Sequence, residues 1–141
     1  FGDDGFGPAT IDHIHKNLSI PDNVYVMDVG SGARDVLFNI GLSEQRPEKI
    51  IVIDAMDLGR TPGEVFEISI EEIPENKKSD YSIHQLPTTN LLKDLRDIHQ
   101  MEIIIIACQV ERIPELVSVG LSEPVRRAVP KAAELALLRA T

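Results

Sequence analysis

The stretch Ile50-Ile51-Val52-Ile53-Asp54 decides the fold class of this 141-residue chain. Four β-branched residues in a row are typical of a strand buried on both faces, and such strands belong to parallel sheets covered by helices. The run Ile103-Ile104-Ile105-Ile106 predicts a second strand of the same kind. With no Trp, two Tyr and four Phe, the core must come from Ile, Leu, Val and Ala. These features predict the α/β class.

Helical and strand patterns alternate along the rest of the chain. Apolar residues at helical spacing predict four helices, and continuous or period-two apolar runs predict four strands. The predicted helices carry apolar residues at positions 11–18, 36–40, 91–98 and 125–138, with Gly41 ending the second, Thr88 or Thr89 capping the third, Ser122 capping the fourth and Pro130 kinking it. The predicted strands cover residues 24–29, 50–53, 66–70 and 103–106, the third at an edge. This alternation predicts one domain, residues 1–141, built as a three-layer αβα sandwich with right-handed crossovers.

The charge balance, the lengths of the apolar runs and the cysteine count narrow the choice of partners and of cellular compartment. Twenty-three acidic residues against fourteen basic ones give a formal net charge of −9 and a pI near 4.8. This is the wrong sign for a phosphate-binding surface, so we expect no nucleic-acid partner. The longest apolar run, residues 103–108, is much shorter than the roughly 18–20 residues that span a bilayer, so we expect no membrane partner. A single cysteine, Cys108, and no evident secretory leader favour the reducing cytoplasm.

Two acidic residues stand where ligands bind on α/β sheets, at the carboxyl ends of strands, and two more lie in a Gly-rich loop. Asp28 and Asp54 each follow a predicted strand. Asp54 comes after four aliphatic residues, so its ionised side chain needs a cation or hydrogen-bond donors, and a ligand role and an Asx cap remain equal alternatives. Asp3 and Asp4 lie in a Gly-rich loop before a helix, where the helix dipole also favours acidic residues for purely structural reasons.

Of the four histidines, His84 is the one placed for chemistry. His13 and His15 lie two residues apart on a helix and cannot share a face, and His99 ends a helix where a cation suits the dipole. His84 instead lies in the link between two elements, the kind of segment that carries function on α/β scaffolds. Two carboxylates and one imidazole from three separate segments would form an O,O,N set suited to a divalent transition metal with open coordination positions.

One stretch of the chain resembles the S-adenosylmethionine methyltransferases. Val26-Met27-Asp28-Val29-Gly30-Ser31-Gly32, followed by Ile51-Val52-Ile53-Asp54, is similar to their cofactor loop and ribose-binding acid. The resemblance implies a methyltransferase-like domain as one alternative function. Ala33-Arg34 departs from the third glycine-type position of that pattern, and the chain after Asp54 is shorter than these enzymes usually need for their sheet.

The whole chain resembles the hydrogenase maturation endopeptidases, which trim the C-terminus of the large subunit of nickel-iron hydrogenases. Four blocks in the family's order and spacing carry the likeness: Phe1-Gly2-Asp3-Asp4-Gly5-Phe6-Gly7-Pro8, Val52-Ile53-Asp54-Ala55, Ser82-Ile83-His84-Gln85-Leu86, and Gly120-Leu121-Ser122 with Val125. The first block looks most like that of archaeal members that serve deazaflavin-reducing hydrogenases. The resemblance implies a mostly parallel sheet of about five strands, whose first strand would precede Phe1.

The resemblance also implies a metal-dependent recognition of the substrate. It places nickel ligation on Asp4, Asp54 and His84, and Asp4 is a departure because the family's first ligand is often Glu. Nickel arrives already bound in the precursor of the hydrogenase large subunit, so the isolated protease needs no tightly held metal of its own. Asp28 resembles part of the family's Asp-Gly-Gly-Thr turn and is interpreted as a support for that loop.

The attacking group stays open at the level of the sequence. Cys108 follows a buried strand, but no histidine is evidently paired with it, and a buried cysteine is usually a packing residue. The remaining hypothesis is a water molecule polarised by the metal or activated by Asp4 or Asp54 as general base. A nickel-dependent binding module without turnover is a further alternative, and a homo-oligomer is compatible with the sequence.

Overall fold

The computed structural model describes residues 2–73, 86–111 and 120–141 of the chain. These residues contain one three-stranded sheet, formed by β1 (Lys49–Met56), β2 (Val65–Ile68) and β3 (Glu102–Gln109). β3 lies in the centre, parallel to β1 and antiparallel to β2. The two continuous apolar runs of the sequence are therefore adjacent strands, and the short alternating run is the predicted edge strand.

Four α-helices among the described residues cover the sheet on both faces, which confirms the three-layer αβα sandwich. They are α1 (Phe6–Asn17), α2 (Ala33–Leu42), α3 (Leu86–Asp97) and α4 (Glu123–Ala140). α1 and α4 pack together and contact β1 on one face, whereas α2 and α3 pack together on the other.

The central strand β3 connects the two halves of the core. Ile106 and Cys108 belong to the cluster formed with α1 and α4, whereas Ile105 and Ala107 belong to the cluster formed with α2 and α3. All four side chains are fully buried, as expected for a strand covered by helices on both faces. Each buried isoleucine stabilises the fold by about 1.5–3 kcal/mol relative to an exposed one.

The predicted strand at residues 24–29 is wrong. Val24 and Val26 are half-buried while Tyr25 and Met27 are exposed, Tyr25 to 87%, so the period-two pattern of the sequence is real. A strand also needs a neighbouring strand to pair with, and no strand among the described residues pairs with this segment. For the same reason the described sheet has three strands where about five were expected.

Several element boundaries also differ from the predictions. β1 continues two residues beyond Asp54, and α2 ends at Leu42 rather than at Gly41. Thr88 and Thr89 do not cap α3, because the helix begins at Leu86 and both threonines are buried inside it. Ser122 does occupy the N-cap position of α4, and this helix runs through Pro130 to Ala140.

No helix in the described parts of the chain has the length and apolarity that a membrane crossing requires.

Candidate functional site

Asp54 is a buried carboxylate near the carboxyl end of β1. Its side chain is only 4% exposed, and its Oδ1 accepts a hydrogen bond of 2.9 Å from the backbone N–H of Ala55. A carboxylate in such an apolar strand needs donors or a cation to offset the loss of hydration. Asp54 therefore occupies the position that the sequence predicted, with its charge at the rim of a dry sheet.

Asp4 lies in a segment near the start of the chain that contacts the same strand. It lies in the 3₁₀ turn Gly2–Gly5, which leads directly into α1 and contacts β1. Asp4 is half-buried, and its Oδ1 is shielded from solvent.

Gly7 allows the backbone of α1 to pack directly against the backbone of β1. A Cβ atom built on Gly7 would lie 2.9 Å from the carbonyl oxygen of Ile53, a separation that real side chains essentially never show. The backbone of α1 therefore rests directly on β1 one residue before Asp54, and Asp4 precedes this contact by three residues. The turn that carries Asp4 thus contacts β1, the strand that carries Asp54, although the two residues are 50 positions apart in sequence.

Asp3 fixes the turn that carries Asp4. It is 8% exposed, its Oδ2 accepts a hydrogen bond of 2.8 Å from the backbone N–H of Glu111, and its Oδ1 accepts one of 2.8 Å from that of Ser122. The Ser122 hydroxyl also donates to Asp3 Oδ1 at 2.9 Å, which explains why this N-cap serine makes no side-chain cap of its own. Asp3 is thus a structural anchor between the start of the chain, the end of β3 and the start of α4.

Gln109, the last residue of β3, forms hydrogen bonds with the loop that follows β1. Its Oε1 accepts hydrogen bonds from the backbone N–H groups of Leu58 at 2.8 Å and Arg60 at 3.1 Å. Its Nε2 donates to Asp57 Oδ1 at 3.0 Å. Sequence reasoning missed this residue, and the available signal was a polar side chain directly after the apolar run 103–108.

Cys108 is not a nucleophile in this structure. Its side chain is completely buried in β3. Burial, together with the negative charge of nearby Asp3, raises the pKa of the thiol to about 12. A nucleophilic cysteine needs the opposite shift, because the thiolate is the reactive form. The thiol is therefore protonated at neutral pH and acts as a packing residue.

Of the three predicted site residues, Asp4 and Asp54 lie on elements that contact each other, and His84 lies outside the described residues. The ring of His15 contacts the backbone oxygen of Val26 at 3.0 Å, and that of His13 contacts Asn17 at 3.3 Å, both on the surface of α1. In the described ranges, no three or more His, Cys, Asp or Glu side chains are grouped as a metal would require. The predicted O,O,N set therefore remains a hypothesis.

Asp28 is exposed and lies in the loop before α2. Its Oδ1 accepts a hydrogen bond of 3.1 Å from the backbone N–H of Gly30 in an exposed loop, in agreement with a role in supporting that loop. The segment before it is not a strand, so the structural context that a methyltransferase cofactor loop requires is missing.

Comparison with known families identifies the class of protein. Residues 8–139 match the family model described as hydrogenase maturation protease. This chain belongs to that family. A Methanocaldococcus jannaschii protein assigned to the hydrogenase maturation proteases is 38% identical over 139 residues, covering 97% of this chain and 87% of the relative. The coenzyme F420 hydrogenase subunit delta of Methanothermobacter thermautotrophicus is 32% identical over 141 residues, covering 97% and 85% respectively.

The fold of this hydrogenase maturation protease agrees with that of solved relatives. The solution structure of the endopeptidase HycI from Escherichia coli superimposes with a TM-score of 0.71 at 26% identity, covering 94% of this chain and 80% of the other. The chain is therefore an endopeptidase of this family, and the methyltransferase and non-catalytic alternatives are set aside. Asp4 and Asp54 form the part of its candidate active site that the described residues contain.

Proposed function

We propose that this endopeptidase removes a C-terminal extension from the precursor of a nickel-iron hydrogenase large subunit once nickel has been inserted. The observation that supports the proposal is the close approach of Gly7 to Ile53, which packs α1 and the turn that carries Asp4 against the strand that carries Asp54. Two carboxylates from separate elements at the carboxyl end of a strand are suited to bind one charged centre on a substrate.

In this proposal the metal is part of the substrate. Nickel is held by cysteine thiolates of the precursor, and Asp4, Asp54 and His84 fill its remaining coordination positions. Carboxylate and imidazole groups are suitable additional ligands for a borderline cation that already carries thiolates. The protease would then bind the loaded precursor and reject the empty one. Asp4 has a shorter side chain than the Glu usual in the family, and it lies on a turn that contacts β1.

Hydrolysis then needs a water molecule and a base. Water adds to the carbonyl carbon of the scissile peptide, and Asp4 or Asp54 accepts its proton as general base. The C–N bond breaks, and the leaving amine receives a proton. Cys108 has no part in this step, because its raised pKa keeps the thiol protonated at neutral pH.

The relatives favour one class of precursor. One of them is a subunit of coenzyme F420 hydrogenase, and the opening block of this chain is similar to that of the deazaflavin-associated members. We therefore propose the large-subunit precursor of such a hydrogenase as substrate. The net charge of −9 favours an extension with a basic character.

A set of matched variants tests the assignment of residues. The nickel-loaded precursor is incubated with wild type, Asp4→Asn, Asp54→Asn and His84→Ala, and kcat/KM is measured by following release of the C-terminal peptide. We expect each change to lower kcat/KM by about 100-fold or more, as is typical for loss of a base or a substrate ligand. Asp28→Asn and His99→Ala are the controls, since Asp28 lies in an exposed loop and His99 lies in the turn after the end of α3. Equal kcat/KM for Asp54→Asn and Asp28→Asn would contradict the proposal.

A further inference from the structure

We infer that Gln109 is a positioning residue of this protease, which holds the loop of residues 57–64 in a fixed place beside Asp54. The inference rests on the proposed function for its catalytic part. It goes beyond it because Gln109 has no place among the nickel ligands or the candidate bases.

The side-chain amide of Gln109 is fully used in hydrogen bonds. Its oxygen accepts from Leu58 N–H and Arg60 N–H, and its nitrogen donates to Asp57 Oδ1 and, at 3.1 Å, to the backbone oxygen of Val110. An amide has two donors and two acceptor positions, so all four are occupied. The residue is only 3% exposed, and removing one partner of such a buried set leaves the others unsatisfied.

The backbone of Gln109 binds the far end of the same loop. Its oxygen accepts a hydrogen bond of 2.9 Å from Gly63 N–H, and its N–H donates to the oxygen of Glu64 at 3.0 Å. A single residue therefore holds both ends of the loop, Asp57 to Arg60 through its side chain and Gly63 to Glu64 through its backbone.

The far end of the loop is also held by close packing. Gly63 has a φ of +85°, and a Cβ atom there would lie 2.6 Å from the carbonyl oxygen of Pro124 in α4. Only glycine fits at this position, so the loop lies directly on the start of α4.

The loop begins three residues after Asp54, with Met56 the last residue of β1. Met56 is the register partner of Gln109, and its oxygen accepts a hydrogen bond of 3.1 Å from Val110 N–H. The end of β1 and the loop that follows are therefore fixed to the same point of β3. Because the loop follows Asp54 by three residues, we expect a precursor bound at Asp54 to contact it, and small displacements of such a contact misalign a scissile bond.

The test compares Gln109→Met, which keeps the length of the side chain and removes its hydrogen bonds, with Gln109→Glu, which keeps the acceptor and removes the donor. Amide hydrogen exchange at Leu58 and Arg60 is the first measurement and needs no precursor. We expect at least about tenfold faster exchange at both amides in Gln109→Met, because their acceptor is lost. The exposed Gln45→Met is the control and leaves these rates unchanged.

The second measurement is cleavage of the nickel-loaded precursor well below the Tm of each variant. We expect kcat to fall by about 10- to 100-fold in both Gln109 variants, with a smaller change in KM. In Gln109→Glu the new carboxylate oxygen faces the carboxylate of Asp57, so the added change Asp57→Asn, which supplies a donor, restores part of kcat. A purely structural role would lower the Tm without this rescue.

Two results would overturn the inference. Unchanged exchange at Leu58 and Arg60 in Gln109→Met would show that the amide does not hold the loop. Faster exchange with a kcat equal to that of Gln45→Met would show that the loop position has no bearing on catalysis. Failure of the wild-type protein to cut the loaded precursor would instead refute the proposed function and the catalytic part of this inference, while the exchange measurement still decides whether Gln109 holds the loop.

Discussion

Gly7 lies directly over the carbonyl group of Ile53, so closely that a Cβ atom at position 7 would be 2.9 Å from the carbonyl oxygen. This contact determines the height of α1 above β1. It also determines how near the turn Gly2–Gly5 comes to Asp54, because the turn and the helix are continuous in the chain. The geometry of the candidate active site therefore depends on the absence of a side chain at residue 7.

The change Gly7→Ala tests this dependence. We expect it to lower the free energy of unfolding by about 1–3 kcal/mol, because either α1 or β1 must shift to relieve the contact. We also expect kcat/KM to fall, since the shift moves Asp4 away from Asp54. Urea unfolding and cleavage of the loaded precursor are the two measurements. Gly32→Ala is the matched control, because a Cβ there meets no atom within 4 Å. If the two variants are equally stable and equally active, the close contact of Gly7 with Ile53 contributes neither to stability nor to catalysis.

Removal of the Asp3 carboxylate should destabilise the fold more than removal of an exposed one. In Asp3→Ala the backbone N–H groups of Glu111 and Ser122 lose their acceptor. Each buried unsatisfied donor costs about 1–3 kcal/mol, so we expect a loss in that range or above it. Asp28→Ala is the control and should change the free energy of unfolding by no more than about 0.5 kcal/mol, since Asp28 is exposed. Equal losses in the two variants, measured by urea unfolding, would contradict the role of Asp3 as an anchor.

The buried thiol predicts a loss of stability at alkaline pH. The pKa of Cys108 is raised to about 12 in the fold, whereas an unfolded cysteine ionises at about 8.5. Between these values the unfolded chain has released a proton that the folded chain still holds, so the free energy of unfolding falls as pH rises. The fall attributable to Cys108 is absent below about pH 8 and is no steeper than about 1.4 kcal/mol per pH unit.

Comparison of wild type with Cys108→Ala isolates this effect from other groups that titrate in the same range. Urea unfolding in a reducing buffer at pH 7, 9 and 10.5 should show a steeper decline for wild type than for the variant. Parallel declines would mean that the thiol is not protected in the fold. At neutral pH the variant should retain its cleavage activity, because a protonated packing residue takes no part in the reaction.

The α/β class and the three layers could be predicted from the sequence because a strand buried on both faces consists of apolar residues. The strand of residues 50–53 has no polar residue, and the buried face of a helix appears in the sequence as apolar residues spaced three or four apart. Which strands pair with each other does not appear in the sequence pattern. Residues 24–29 have the composition of a strand, and the structure excludes them from the sheet because pairing depends on a neighbour and not on the segment itself.

Candidate site residues could be proposed from the sequence where a carboxylate follows an apolar run, as at Asp54, or lies in a Gly-rich loop, as at Asp4, and their roles stay a prediction. The supporting residues were not predictable. Asp3 bonds Glu111, 108 positions away, and Gln109 bonds Leu58, 51 positions away, and only the fold reveals which backbone groups these side chains satisfy. The same is true of Ser122, which was correctly placed at the start of α4 but donates its hydroxyl to Asp3 instead of capping the helix.

The measurement that tests the central claim most directly is the intact mass of a cognate hydrogenase large-subunit precursor after incubation with the wild-type protein. One sample of the precursor carries nickel and a second, otherwise identical sample is free of it. We predict loss of the C-terminal extension from the nickel-loaded sample alone, with the Asp54→Asn variant leaving both samples intact. Equal cleavage of the two samples would contradict the claim that nickel in the substrate is what Asp4 and Asp54 recognise.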